Sequence, residues 1–161
     1  MKKIRVKFLV FMYNKTQKLY RTYFKKKKRE WQFSEKQLLE FEKDTLGRKL
    51  GEFYKKHGFR MIPKMENHDV YHLLTGYSTQ IQDEIAMQYF LFGNGKRSAY
   101  LLGTIALGTL VFPEYSKDYW KAYEKGKRFK PFHHWDFESL LWQNFEHLKL
   151  FSIQKETPVF Y

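Results

Sequence analysis

The chain has 161 residues, is 20% aromatic and contains no cysteine. That length suffices for one domain with its own core. The missing thiols exclude disulfides, thiolate metal sites and a cysteine nucleophile, and the abundant rings exclude extensive disorder. The net charge of +13 is concentrated at one end: residues 1–29 hold 12 Lys and Arg and no acid, whereas residues 30–161 hold 18 basic and 17 acidic groups.

Residues 1–29 therefore form a basic leader ahead of a nearly neutral domain, residues 30–161. Ile4–Phe8 alternates with period two, but the spacing of Phe8, Met12, Leu19 and Tyr23 predicts a basic amphipathic helix instead. The apolar run Phe8–Tyr13 spans only 6 residues with no small-residue cleavage site after it, so a signal peptide is not expected. Scarce Arg and the absence of any Ser before Ser34 argue against a mitochondrial transit peptide. Rings and aliphatics interleaved with Lys suit an anionic membrane surface, because they can enter the acyl boundary. A nucleic-acid backbone rewards the charge but not the apolar content, and a groove binder would spread its charge over the body.

The rest of the chain reads as helical. Ser34-Glu35-Lys36-Gln37 is a capping-box pattern opening a short helix toward Asp44. A helix over Thr45–His57 carries Leu46, Leu50, Phe53 and Tyr54 on one face and stops at Gly58. Lys64–Leu74 and Thr79–Phe92 form two more, split by Thr75-Gly76-Tyr77-Ser78, with Ser78 as the N-cap of the second and Gly93-Asn94-Gly95 ending it. Ser98–Val111 is apolar nearly all round and predicts a buried central helix. The apolar run Ala99–Phe112 is too short for the ~20 residues of a membrane span. Pro113 opens a helix that stops at Gly126, and Asp136 caps a last one through Leu148. The expected fold is all-α, a single-domain bundle of seven or eight helices, soluble in the cytoplasm or peripheral on the inner membrane face.

One constellation carries chemistry. On a helix, His68 and His72 lie four residues apart and about 40° out of register, the spacing by which two imidazoles grip one metal ion. Asp69, three before His72, is within reach of that face. On an unbroken helix Glu84 would lie ~18 Å further along and turned by ~120°. A hairpin turning at Thr75–Ser78 instead brings Glu84 opposite His72. Two imidazoles and two carboxylates suit one divalent ion: zinc, or iron, manganese or cobalt. A polar helix surface with a local Asp69–His72 pair is the blander alternative.

With those residues in view, the sequence resembles the coenzyme Q (ubiquinone) biosynthesis scaffold proteins ("Coq-four"), whose hallmark His-Asp-x-x-His-x₁₁-Glu stands here as His68, Asp69, His72 and Glu84. The likeness extends through Thr45–Arg48, Phe53–Gly58, Leu73–Gly76, Ala122–Pro131, Trp135–Glu138 and Leu148–Ile153, about residues 35–153. Asp83 stands where the family often has Gly, and the stretch from Phe59 to His68 is short for it. The resemblance implies an α-helical protein that binds a divalent metal, usually zinc, through those four positions. It also implies work at a membrane on prenylated quinone precursors, contact with other quinone-biosynthesis enzymes, and oxidative decarboxylation with hydroxylation at ring carbon one. A homodimer is open on the sequence.

Other readings weigh less: a non-catalytic scaffold with a structural metal, and a zinc hydrolase of peptidase type, for which Asp69 is one methylene short and Glu84 follows too soon. His133-His134 reads as a loop pair, and Gly93-x-Gly95 lacks the strand that a phosphate loop requires. Tyr89, Phe90, Phe92, Trp120, Trp135 and Trp142 are expected in the core. Plain core is likewise preferred over a prenyl-tail cavity for the Ala99–Phe112 helix.

Overall fold

The computed structural model describes residues 3–12, 15 and 29–153; Leu19 and Tyr23 of the leader lie outside them. Among the described residues there are eight α-helices and no strand, in one domain. The helices are α1 (residues 3–12), α2 (Glu35–Leu38), α3 (Leu46–His57), α4 (Glu66–Thr75), α5 (Ile81–Gly93), α6 (Ala99–Val111), α7 (Ser116–Lys127) and α8 (Phe145–Ser152). Two isolated bridges, Thr45 with Asn144 and Phe129 with Ile153, tie the late loops to the bundle.

Helix α5 is the centre. It packs most extensively on α7, where both helices bring a glycine to the crossing. A Cβ at Gly93 would strike the Tyr123 carbonyl oxygen, and one at Gly126 the Phe90 carbonyl oxygen. Toward the other end of the crossing Tyr89 stacks on Tyr119, with ring centroids 5.3 Å apart. Gly126 was expected to end its helix; instead α7 continues to Lys127, and the glycine serves backbone-to-backbone approach. Buried Asn94, capping α5, donates to the carbonyls of Phe129 and Lys130 and accepts from Phe132 N–H at 3.1 Å. It pins the loop that carries His133 and His134.

Local capping explains the early helices. Ser34 and Gln37 complete the capping box, though α2 lasts barely a turn; Thr45 accepts from Arg48 N–H, and Gly58 closes α3 in the left-handed region (φ 64°). Three expectations fail for tertiary reasons. The last helix begins at Asn144 rather than Asp136, because Leu141 and Gln143 give their carbonyls to Gly47 and Leu46 at the start of α3. Ser78 does not cap α5: Gln80 is its N-cap, and the Ser78 N–H and hydroxyl both donate to Asp83. Pro113 opens a separate 3₁₀ turn, Pro113–Tyr115, ahead of α7.

Helix α6 is the largest departure. It buries only Leu101 and Gly108, and Leu110 is 79% exposed. Its apolar residues face a cavity on one side and the exterior on the other, so the helix is peripheral and not central. Trp120 and Trp142 are exposed too; each lies over neighbouring rings at the surface instead of entering the core. Phe90 is buried as expected, and Tyr89, Phe92 and Trp135 are partly buried against the core. Helix α1 docks by Leu9, and Arg5 donates to the Val111 carbonyl and to both oxygens of Glu114. Its outer residues Ile4, Phe8, Val10 and Phe11 remain exposed. No described helix is long and apolar enough to cross a membrane.

Candidate metal centre

Helices α4 and α5 form the expected hairpin. Gly76, in the left-handed region (φ 76°), closes α4 by donating to the His72 carbonyl, a conformation that L side chains adopt at a cost. Asp83 then braces the turn by accepting from Ser78. The chain returns with Glu84 opposite both histidines: His68 Nε2 lies 3.1 Å from one carboxylate oxygen, His72 Nε2 3.0 Å from the other.

The turn also orients its own ligand. His72 Nδ1 lies 2.9 Å from the Tyr77 carbonyl, so Nδ1 carries the proton and Nε2 is left to face Glu84. Phe53 of α3 stacks on the His72 ring at 5.8 Å, fixing its plane. One ligand atom from each of His68, His72 and Glu84 fits within 4.8 Å of the other two, so the three could hold one ion. Asp69 stands apart from that set. Its Oδ1 is 3.5 Å from His68 Nδ1, on the far side of the imidazole, and its Oδ2 accepts from the Tyr54 hydroxyl at 2.7 Å. The donor set accordingly fits a divalent cation with three protein ligands; two imidazoles and one carboxylate occur at catalytic zinc and at non-haem iron(II) sites.

Electrostatics agree with that fit. Burial opposes charge on His68, but the Glu84 carboxylate and the hydrogen bonds to Asp69 and Glu84 outweigh it and hold its pKa up at about 9. Burial likewise opposes charge on Glu84, yet the two histidines hold its carboxyl far below the usual range. Without an ion, the site keeps a proton where the ion would sit. Tyr54 is kept protonated by burial and by Asp69.

A cavity of about 990 Å³ opens on these residues. His68, Asp69, His72 and Glu84 line one side; the other walls include Leu107 and Thr104 of α6, Ile85 of α5, Leu9 and Val10 of α1, and Phe59 and Arg60 from the loop after α3. The sequence pattern did not point to Tyr54, Tyr77 or Gln88 at the site. Tyr54 has the spacing of a core residue and Tyr77 acts by its backbone. Gln88 could have been found, lying four residues after Glu84 and hence on the same face of α5. The pair His133-His134 lies in a loop, as expected.

Residues 59–155 match the family model for the coenzyme Q (ubiquinone) biosynthesis protein Coq4. The chain is similar in fold to a crystal structure from Nostoc punctiforme PCC 73102, of a protein ascribed to ubiquinone biosynthesis, with a TM-score of 0.63 and 16% identity over 77% of this chain and 69% of that one. No curated protein matches the chain.

Proposed function

The chain belongs to the Coq4 family of coenzyme Q (ubiquinone) biosynthesis proteins, and on that premise we propose that it holds one divalent ion beside a lipid-sized cavity, where it binds a polyprenylated quinone precursor at a membrane surface. The observation that carries the reading is the cavity of about 990 Å³, at the upper end of small-molecule sites, with an apolar wall on α6 and the metal set on the other side. An apolar tail would lie along α6 and its ring would reach the ion.

His68, His72 and Glu84 would hold the ion, zinc or iron(II) by their chemistry, and Asp69 would orient His68 from behind with Tyr54 fixing Asp69. Bound there, the ion would polarise a ring hydroxyl or carboxylate as a Lewis acid, or in a redox-active form would orient the dioxygen that an oxidative decarboxylation with hydroxylation consumes. A scaffold whose ion only fastens the hairpin is the second reading. It is supported by the way the set joins α4 to α5 across the Thr75–Ser78 turn.

Residues 1–29 would serve as the leader that meets the anionic membrane, with residues 30–161 as the metal-binding domain. The exposed Ile4, Phe8, Val10 and Phe11 on α1 support insertion over purely electrostatic contact. Protein starting at Glu30 should lose the salt-resistant part of co-sedimentation with anionic liposomes. Equal retention would remove the leader from this role. The cavity is tested by mass spectrometry of lipids carried through purification. An isoprenoid-tailed compound is expected in wild type and depleted by Gly103→Trp, which fills the cavity; a lipid-free protein that also takes up no isoprenoid on titration would sink the reading.

A further inference from the structure

One wall of the apolar cavity is held differently from the rest. Leu9, Val10 and Met12 of α1 line it, while Ile4, Phe8 and Phe11 of the same helix stand exposed to the outside. That wall is one helix thick. Helix α6, which supplies another wall, is seated firmly: a Cβ at Gly108 would lie 2.7 Å from the Ile85 side chain of α5. Helix α1 buries a single side chain, Leu9, with Val6 partly buried beside it. So little apolar burial is a weak hold, of the kind found in segments that open locally.

Arg5 is what fastens α1. Its guanidinium donates to the Val111 carbonyl at 2.9 Å and to the two oxygens of Glu114 at 2.7 and 3.1 Å, and it lies over the Phe112 ring. The ion pair is open to solvent, its side chains 37% and 42% exposed, and such pairs hold weakly. Arg5 Nε is buried without a partner among the described residues, which costs the docked state. The chain is fastened to the domain separately, where the Trp31 and Gln32 N–H groups donate to Glu66 and Glu138. Helix α1 can therefore leave without loosening the domain. It also lies outside residues 59–155, the part that matches the family model.

We propose that α1 is a lid on the apolar cavity, latched by Arg5 to the end of α6 and to Glu114, and lifted by an anionic bilayer so that an apolar tail enters beneath it. In water, lifting α1 exposes Leu9 and Val6, and the lid stays down. At the bilayer those residues join Ile4, Phe8 and Phe11 in the acyl boundary, and lipid phosphates replace Glu114 as the partner of Arg5. The bilayer thus binds the lifted state better than the docked one, which is what shifts the equilibrium. Away from the membrane the lid closes over the tail. The proposal rests on the tail-cavity reading for what passes beneath the lid, whereas the motion itself is measured without a tail.

The chain has no cysteine, so two spin labels can be placed cleanly on the full-length protein, at the exposed positions of Lys7→Cys on α1 and Lys117→Cys on α7. Pulsed electron paramagnetic resonance should give one short distance in solution. A longer one should appear with vesicles containing phosphatidylglycerol and not with pure phosphatidylcholine. Without vesicles, adding Arg5→Gln or Glu114→Gln should raise the long-distance fraction about fivefold, the size of an exposed ion pair. Exchanging the pair, Arg5→Glu with Glu114→Arg, should restore the short distance. Distances indifferent to anionic vesicles and to the latch variants would overturn the lid. Duplex DNA lengthening the distance as much as the vesicles do would overturn the role of the bilayer. Retinol, an isoprenoid alcohol, should enter the latch variants faster than wild type; equal rates would overturn entry beneath α1. Retinol binding to no form would sink the tail cavity, and the distances alone would then decide the lid.

Discussion

Glu84 faces the Nε2 atoms of both histidines and pairs with the charge of His68, and this couples the site to pH. His68 titrates near 6.5 in an unfolded chain and at about 9 here, so its bonded, protonated form stabilises the metal-free fold fully below pH 6.5 and loses that contribution as pH rises through about 9. Glu84 has the opposite sign: its contribution is present above the ordinary value of 4.5 and is lost as pH falls below it. The metal-free protein should therefore be most stable between those two ordinary values. An incoming ion must displace the His68 proton, so metal affinity should rise about tenfold per pH unit up to about 9. A metal titration at three pH values checks this, and a flat profile would remove His68 from the ligand set. At fixed pH, Glu84→Gln should weaken binding far more than Asp83→Asn, whose carboxylate only braces the turn through Ser78. Equal losses would mean that the site is not built around Glu84.

Helix packing carries its own prediction. Gly126→Ala at the α5–α7 crossing forces backbone apart and should cost about 1–3 kcal/mol in chemical denaturation. Gly103→Ala on α6 meets nothing within 4 Å and should stabilise by about 0.5–1 kcal/mol through helix propensity. Similar effects for the pair would show that the crossing has slack. The two glycines also illustrate what a sequence can reveal. A stop signal and a close approach both call for glycine, so Gly126 was legible as important but not as to why. The start of α8 was hidden for a related reason. Asp136 is a good cap by local chemistry, but the carbonyls that follow are recruited by α3, some ninety residues earlier, which no local pattern records. Where the cause was local, as with Ser34, Thr45, Gly58 and the Thr75–Ser78 break, the sequence was sufficient.

For the molecule as a whole, the hairpin that sets Glu84 opposite His68 and His72 was legible because helical periodicity and one turn decide which side chains meet, whereas the sequence pattern counts Asp69 as a fourth member of the set. The place of Asp69 behind His68 was not legible, since it depends on Tyr54 from another helix. Nor was the cavity: an all-apolar helix looks the same in sequence whether it is core or wall, and only the packing of α1 and α5 distinguishes them. The candidate metal set, the apolar cavity and a smaller polar cavity adjoin one another, with His68 bordering all three. The proposed ion is the central claim, and elemental analysis of protein purified without chelators addresses it directly. About one divalent transition-metal ion per chain is expected, absent from the His68→Ala/His72→Ala double variant and accompanied by a higher melting temperature than the stripped protein. Wild-type protein that carries no ion and takes none up on titration would contradict the assignment.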